Sequence, residues 1–145
     1  MALLSLAGLL VGAYLTLYKF GYVGQLVCNI SSCEQVQTSR WSVFLGLPVA
    51  TWGAGFYLVM LVLSIVGLQP RYADSHALSS VLLALTGWGV LFTAWLNYLE
   101  AYVIHAWCEW CLGSATIVVL LFVLALRDWR ETRQIQDIDA AGATQ

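Results

Sequence analysis

Chemistry in this sequence concentrates in four cysteines, at positions 28, 33, 108 and 111. Cys28 and Cys33 frame the hexapeptide CNISSC, and Cys108 and Cys111 frame CEWC, a C-x2-C pair at the head of the last long apolar run. Such cysteines can staple a fold, hold a metal or pass electrons. Zinc suits four thiolates, with His76 or His105 as substitutes, but C-x4-C is a loose companion for C-x2-C. A c-type haem requires His directly after C-x2-C, and Leu112 stands there. The spacing matches no iron–sulfur run. Two static disulfides remain a structural reading, although a C-x2-C bridge closes so small a loop that it removes little entropy from the unfolded chain. Redox exchange uses more of the pattern. A helix starting near Trp107 puts Cys108 in its first turn, where free N–H groups and the helix dipole stabilise a thiolate. Glu109 opposes that effect if its carboxylate points inward. Cys111, one turn deeper, is then nearest a lipid-soluble oxidant. Cys108 can meet a mobile loop, and Cys28 and Cys33 in that loop can take electrons from a soluble partner.

The elements that must position these residues are membrane helices. The 145 residues are 61% hydrophobic and only 10% charged, with a mean hydropathy of +0.80. A soluble domain carries about 25% charged residues, so most of this exterior must face lipid. The six Lys and Arg residues are too few for nucleic-acid binding. Four runs, 1–18, 45–68, 77–99 and 107–127, are long enough to cross a bilayer. Each must be helical, because unpaired backbone groups are not tolerated in hydrocarbon. The expected fold is an all-α integral membrane protein. Its single domain is a four-transmembrane-helix bundle with an external cysteine loop over 19–44, a short capping helix within 34–44, and a tail over 128–145 that continues helix four and then frays. The first run lacks a cationic leader and a small-residue cleavage pattern, so it is expected to be a retained helix.

Charge sets the expected orientation. Arg71, Arg127, Arg130 and Arg133 flank the runs on one side, and the positive-inside rule puts that side, with both termini, in the cytoplasm. Lys19 and Arg40 run against the rule. All four cysteines then share the extracytoplasmic side, periplasmic or lumenal, where disulfides form and persist.

With these features in place, the chain resembles the vitamin K epoxide reductase family, in its short four-helix form without a fused thioredoxin-like domain. The likeness spans nearly the whole chain: CNISSC at 28–33, Ser39 six residues later, GLPVATWG at 46–53 with Tyr57 beyond, and CEWC at 108–111. It implies that Cys108 and Cys111 are the catalytic pair beside a quinone, with Cys111 facing it. It implies that Cys28 meets a thioredoxin-like protein, that Cys33 exchanges with Cys108, and that Ser39 supports the site by hydrogen bonding. The activity implied is a quinone-dependent thiol-disulfide oxidoreductase supporting disulfide bond formation. Its electron acceptor would be a menaquinone, ubiquinone or vitamin K type quinone, its reductant a separate thioredoxin-like protein, and no metal is expected. Two departures stand out. Ala115 occupies a place where vertebrate members carry tyrosine, and no Asn occurs between Leu45 and Leu68. Both weigh against the alternative of an epoxide reductase using the same relay. A non-enzymatic four-helix scaffold with two structural disulfides is the other alternative.

Three further residues have a chemical and a plain reading. His105 could bias the Cys108 thiolate or protonate a quinone oxygen, or simply face water. Asn97 could hydrogen-bond a quinone carbonyl or lock helices together. Trp110, beside Cys111, could wall a flat quinone pocket or anchor at the interface. Asn29-Ile30-Ser31 fits the glycosylation acceptor pattern, although a glycan between two shuttle cysteines would obstruct a partner.

Overall fold

The computed structural model describes residues 1–28, 33–73 and 75–142; the Asn29-Ile30-Ser31 pattern lies outside them. The chain forms α1 (Ala2–Lys19), α2 (Cys33–Thr38), a 3-10 turn (Arg40–Ser42), a two-stranded hairpin of β1 (Val43–Phe44) and β2 (Leu47–Pro48), α3 (Val49–Val66), α4 (His76–Leu99), a π turn (Glu100–Ile104) and α5 (Glu109–Gly142). Helices α1, α3, α4 and α5 are each long and apolar enough to cross a membrane. The protein is an all-α, multi-pass membrane bundle. Leu3, Leu10, Trp88 and Leu91 point outward with most of their surface exposed, as lipid-facing side chains should.

Several hydroxyl side chains in these helices bond back to their own helix. Thr16 donates to the Gly12 carbonyl, Thr86 to Leu82 and Thr116 to Leu112. This i−4 bonding satisfies the hydroxyl without a partner helix. Helix α1 lies along α3 and α4 along α5, whereas α3 and α4 barely touch. The α1–α3 approach depends on small residues. A Cβ on Gly8 would overlap the Tyr57 ring, and one on Gly12 would press on the Ala54 backbone. The bundle is therefore two tight pairs with a gap between them, and that gap becomes the site.

Several boundaries differ from expectation for local reasons. Helix α3 starts at Val49, not 45, because Leu45 and Gly46 both adopt positive φ, 52° and 82°, the geometry of a tight hairpin turn. Pro48 then leads into the helix. The short capping helix expected within 34–44 is α2, which starts at Cys33 and ends at Thr38, and the 3-10 turn and β1 take up the rest of that segment. Helix α5 starts at Glu109 rather than near 107 and continues to Gly142 instead of fraying soon after 127. The stretch from 128 to 141 contains neither Gly nor Pro, so nothing in it stops a helix. At about 1.5 Å per residue, its 34 residues exceed the roughly 30 Å of hydrocarbon, and the polar end projects beyond.

Candidate functional site

Both cysteine pairs gather at one end of the bundle. Cys33 and Cys108, 1% and 0% exposed, pack with Val36 and Ala106 in one buried cluster, against which Cys28, Cys111 and Trp110 also lie. Cys28 and Cys33 form a disulfide with a Cα–Cα distance of 6.4 Å. Cys108 and Cys111 are thiols. Cys28 is half-buried and Cys33 is not reachable from outside, so the loop pair has one outward and one inward sulfur. Among the described residues no three His, Cys, Asp or Glu side chains gather as a ligand set.

The loop is held in this place by contacts from two helices. Trp110 on α5 donates from Nε1 to the Val27 carbonyl at 3.0 Å, and its ring packs on Tyr14 of α1 with centroids 5.2 Å apart. The Val27 N–H donates to the Tyr14 hydroxyl. At the end of α1, Lys19 donates from Nζ to the Gln37 carbonyl and to Ser42 Oγ, joining α1 to the segment that carries Cys33. Ser39 Oγ donates to the Val36 carbonyl at 2.8 Å, and its own carbonyl accepts from Ser42. Ser39 thus closes the end of α2, and it also lines the cavity described below.

Cys108 sits immediately before α5 rather than in its first turn, because the helix starts at Glu109 and not near Trp107. Its carbonyl accepts from the Leu112 N–H at 3.0 Å, which makes it the capping residue of the helix. Its thiol is held below the ordinary cysteine range. The largest cause is the hydrogen bond from the Cys111 thiol, with the Cys111 and Trp110 backbone N–H groups adding to it, against the opposing effects of burial and the Glu100 carboxylate. A lowered thiol gives more thiolate at a given pH, and a low-pKa sulfur leaves a mixed disulfide readily. The cause is testable in chains whose Cys28 and Cys33 are both serine. Replacing Cys111 by alanine removes the main donor, so the ultraviolet thiolate titration of Cys108 should move to higher pH. Cys111→Ser keeps a donor and should leave the midpoint lower than in the alanine variant. Equal midpoints in the two would show that the cause lies elsewhere.

The gap between α3 and α4 is a cavity of about 990 Å³ with an almost wholly apolar lining, at the upper end of what small-molecule sites span. Phe44 of β1 roofs it, touching Trp52 of α3 edge-on and Phe92 and Trp95 of α4, with centroids 6.3 to 6.5 Å apart. The Trp52 indole also donates to the Phe44 carbonyl. Cys111, Ser114 and Glu100 contribute to the lining, as does Tyr57, whose hydroxyl is engaged by Ser114. Two buried polar atoms on this lining have no partner, Thr51 Oγ1 on α3 and Asn97 Oδ1 on α4. Asn97 spends an amide N–H on the Thr93 carbonyl at 2.9 Å. An apolar ligand that offers an acceptor oxygen to the Thr51 hydroxyl and a hydroxyl donor to Asn97 Oδ1 would satisfy both orphans, and Cys111 is the cysteine on the lining.

The four cysteines are thus brought together at one end, where Cys111, Ser39 and Asn97 line the cavity. Trp110 and His105 are not part of its lining. Trp110 grips the cysteine loop instead, because consecutive residues on a helix point about 100° apart, so a neighbour of Cys111 faces elsewhere. His105 is exposed and serves the chain's turn, with a φ of 55° in the left-handed region. Residue types and spacing did not single out Thr51, Phe44 or Glu100. Glu100 read as a charge in a link, whereas it is 3% exposed and accepts the Cys108 N–H at 3.2 Å. Compared with known protein families, residues 1–126 match the model described as the vitamin K epoxide reductase family.

Proposed function

The chain belongs to the vitamin K epoxide reductase family, and on that premise we propose that it oxidises a thioredoxin-like protein and reduces a membrane quinone through a four-cysteine relay. The coarser statement, a membrane thiol oxidoreductase, follows from the family itself. The observation that carries the finer one is the single cluster in which Cys33 packs with Cys108 while Cys111 lines the apolar cavity.

The relay runs inward. A reduced partner attacks the outward sulfur, Cys28, of the Cys28–Cys33 disulfide, and resolution of that mixed disulfide leaves two loop thiols. Cys33 then attacks Cys108 of an oxidised Cys108–Cys111 pair, and Cys111 departs as the thiol that faces the cavity. Cys28 attacks Cys33 and expels Cys108, whose lowered thiol makes it a good leaving group. The loop disulfide and inner dithiol that result are the arrangement present in the structure. The inner pair finally gives two electrons and two protons to the quinone and regains its disulfide. The Thr51 hydroxyl would donate to a quinone oxygen, Asn97 Oδ1 would accept from a hydroquinone hydroxyl, and Ser39 would keep Cys33 in register. The cysteine end is assigned to the extracytoplasmic side, since Arg127, Arg130 and Arg133 lie at the far end of the bundle and favour the cytoplasm.

The test is the purified chain in lipid vesicles with a menaquinone or ubiquinone and a reduced thioredoxin-like domain. Hydroquinone should appear in step with oxidised partner, one for one. A partner that stays reduced while the quinone stays oxidised would overturn the reading and favour a bundle with a structural disulfide.

A further inference from the structure

A carboxyl group sits where the thiol proton must go. The π turn after α4 turns the chain back on itself. The Glu100 carbonyl accepts the N–H groups of His105 and Ala106, the latter at 3.1 Å, so residues 106–108 pass over the Glu100 side chain. The carboxylate accepts the Cys108 N–H and hydrogen-bonds the Cys111 thiol. It lines the same cavity as Cys111. Among the described residues no Lys or Arg pairs with it, and the titratable groups against it are the Cys108 and Cys111 thiols. Two other candidate proton carriers are otherwise placed: Tyr57 and Ser114 are bonded to each other, and His105 is exposed. Holding the turn needs only an oxygen acceptor and a carbonyl, which an amide side chain would also supply. An ionisable group in so buried a place exceeds that need, because an unpaired buried charge is costly.

We propose that Glu100 is the catalytic base of quinone reduction, taking the Cys111 proton as the inner disulfide forms and passing it to a quinone oxygen. The inference rests on the quinone reading above. In the step, the Sγ–H bonds of Cys108 and Cys111 break and one Sγ–Sγ bond forms. The two electrons and two protons released convert the quinone to hydroquinone. Glu100 carries the Cys111 proton across and ends as the carboxylate it began as, so it is not consumed. Two adjacent anions at the mouth of an apolar cavity would repel, and a shared proton avoids that state.

The experiment uses the full chain in vesicles and follows two steps separately. Single-turnover hydroquinone formation by the reduced inner pair reads proton transfer, and reduction of the inner disulfide by the partner without quinone reads the relay. In Glu100→Gln the first should fall about 10²-fold near neutral pH, within the range for a lost general base, with the deficit narrowing as rising pH ionises the thiol directly. The second should stay within a few-fold of wild type, and Glu100→Asp should recover part of the loss. A glutamine variant with unchanged rate and pH profile would overturn the proposal. Equal loss in both steps would also overturn it, leaving Glu100 as an organiser of the turn. A wild-type dithiol that leaves quinone oxidised would instead remove the quinone reading on which the proposal stands.

Discussion

Cys33→Ser is expected to lower partner-driven quinone reduction by at least about 10³-fold, while a small dithiol still drives the inner pair within a few-fold of the wild-type rate. The separation follows from burial. Cys33 is the inward sulfur, fully buried with Cys108 in one cluster, whereas Cys28 is half-buried at its edge. Losing a prepositioned reactant costs orders of magnitude, because effective molarities of such groups reach about 10⁵ M or more. Serine is nearly isosteric, and the lost bridge spans a sequence separation of only 5, so little stability should go with it. A small dithiol has no need of the loop pair and can reduce Cys108–Cys111 directly. The check is hydroquinone formation in vesicles with each reductant. Partner-driven turnover that survives the substitution would mean that the loop pair is structural.

The second large effect is expected from filling the cavity. Gly53 lines it, and a Cβ there would meet no atom within 4 Å. Gly53→Leu would project its side chain into the space assigned to the quinone. Displacing about 60–100 Å² of apolar contact at roughly 25 cal/mol per Å² removes about 1.5–2.5 kcal/mol of binding, or about 10- to 70-fold in quinone KM. The fold should not suffer, since replacing a helical glycine favours the helix by up to about 1 kcal/mol. Steady-state kinetics against quinone, with a thermal melt alongside, would separate the two. Unaltered KM in a folded variant would place the quinone elsewhere.

The spanning helices were readable because hydropathy is a property of consecutive residues, and lipid enforces it. Their ends were less so. The start of α3 depends on the positive φ of Leu45 and Gly46, and the Leu-Gly pair lies inside an apolar run that hydropathy alone joins to the helix. That the two cysteine pairs would meet at one end was legible from their places between the apolar runs. The identity of Cys108 as a cap rather than a first-turn residue turned on a helix start two residues later than expected, which changes how its sulfur meets the N–H groups of Trp110 and Cys111. Trp110 shows why adjacency misleads on a helix: next to Cys111 in sequence, it points to Val27 and Tyr14 instead. Glu100 was hidden for a different reason. Its contact with residues 108 and 111 exists only because a π turn and a left-handed His105 reverse the chain, and no short-range pattern announces that. The cavity was likewise out of reach, being a place where α3 and α4 barely touch.

The account stands on Cys33 and Cys108 being able to bond. In a chain with both Cys28 and Cys111 replaced by serine, only these two thiols remain, and mild oxidation in membranes should join them. Proteolysis and mass spectrometry should then recover one cross-linked pair of peptides, with neither cysteine open to alkylation. Two freely alkylated thiols after the same oxidation would contradict the relay.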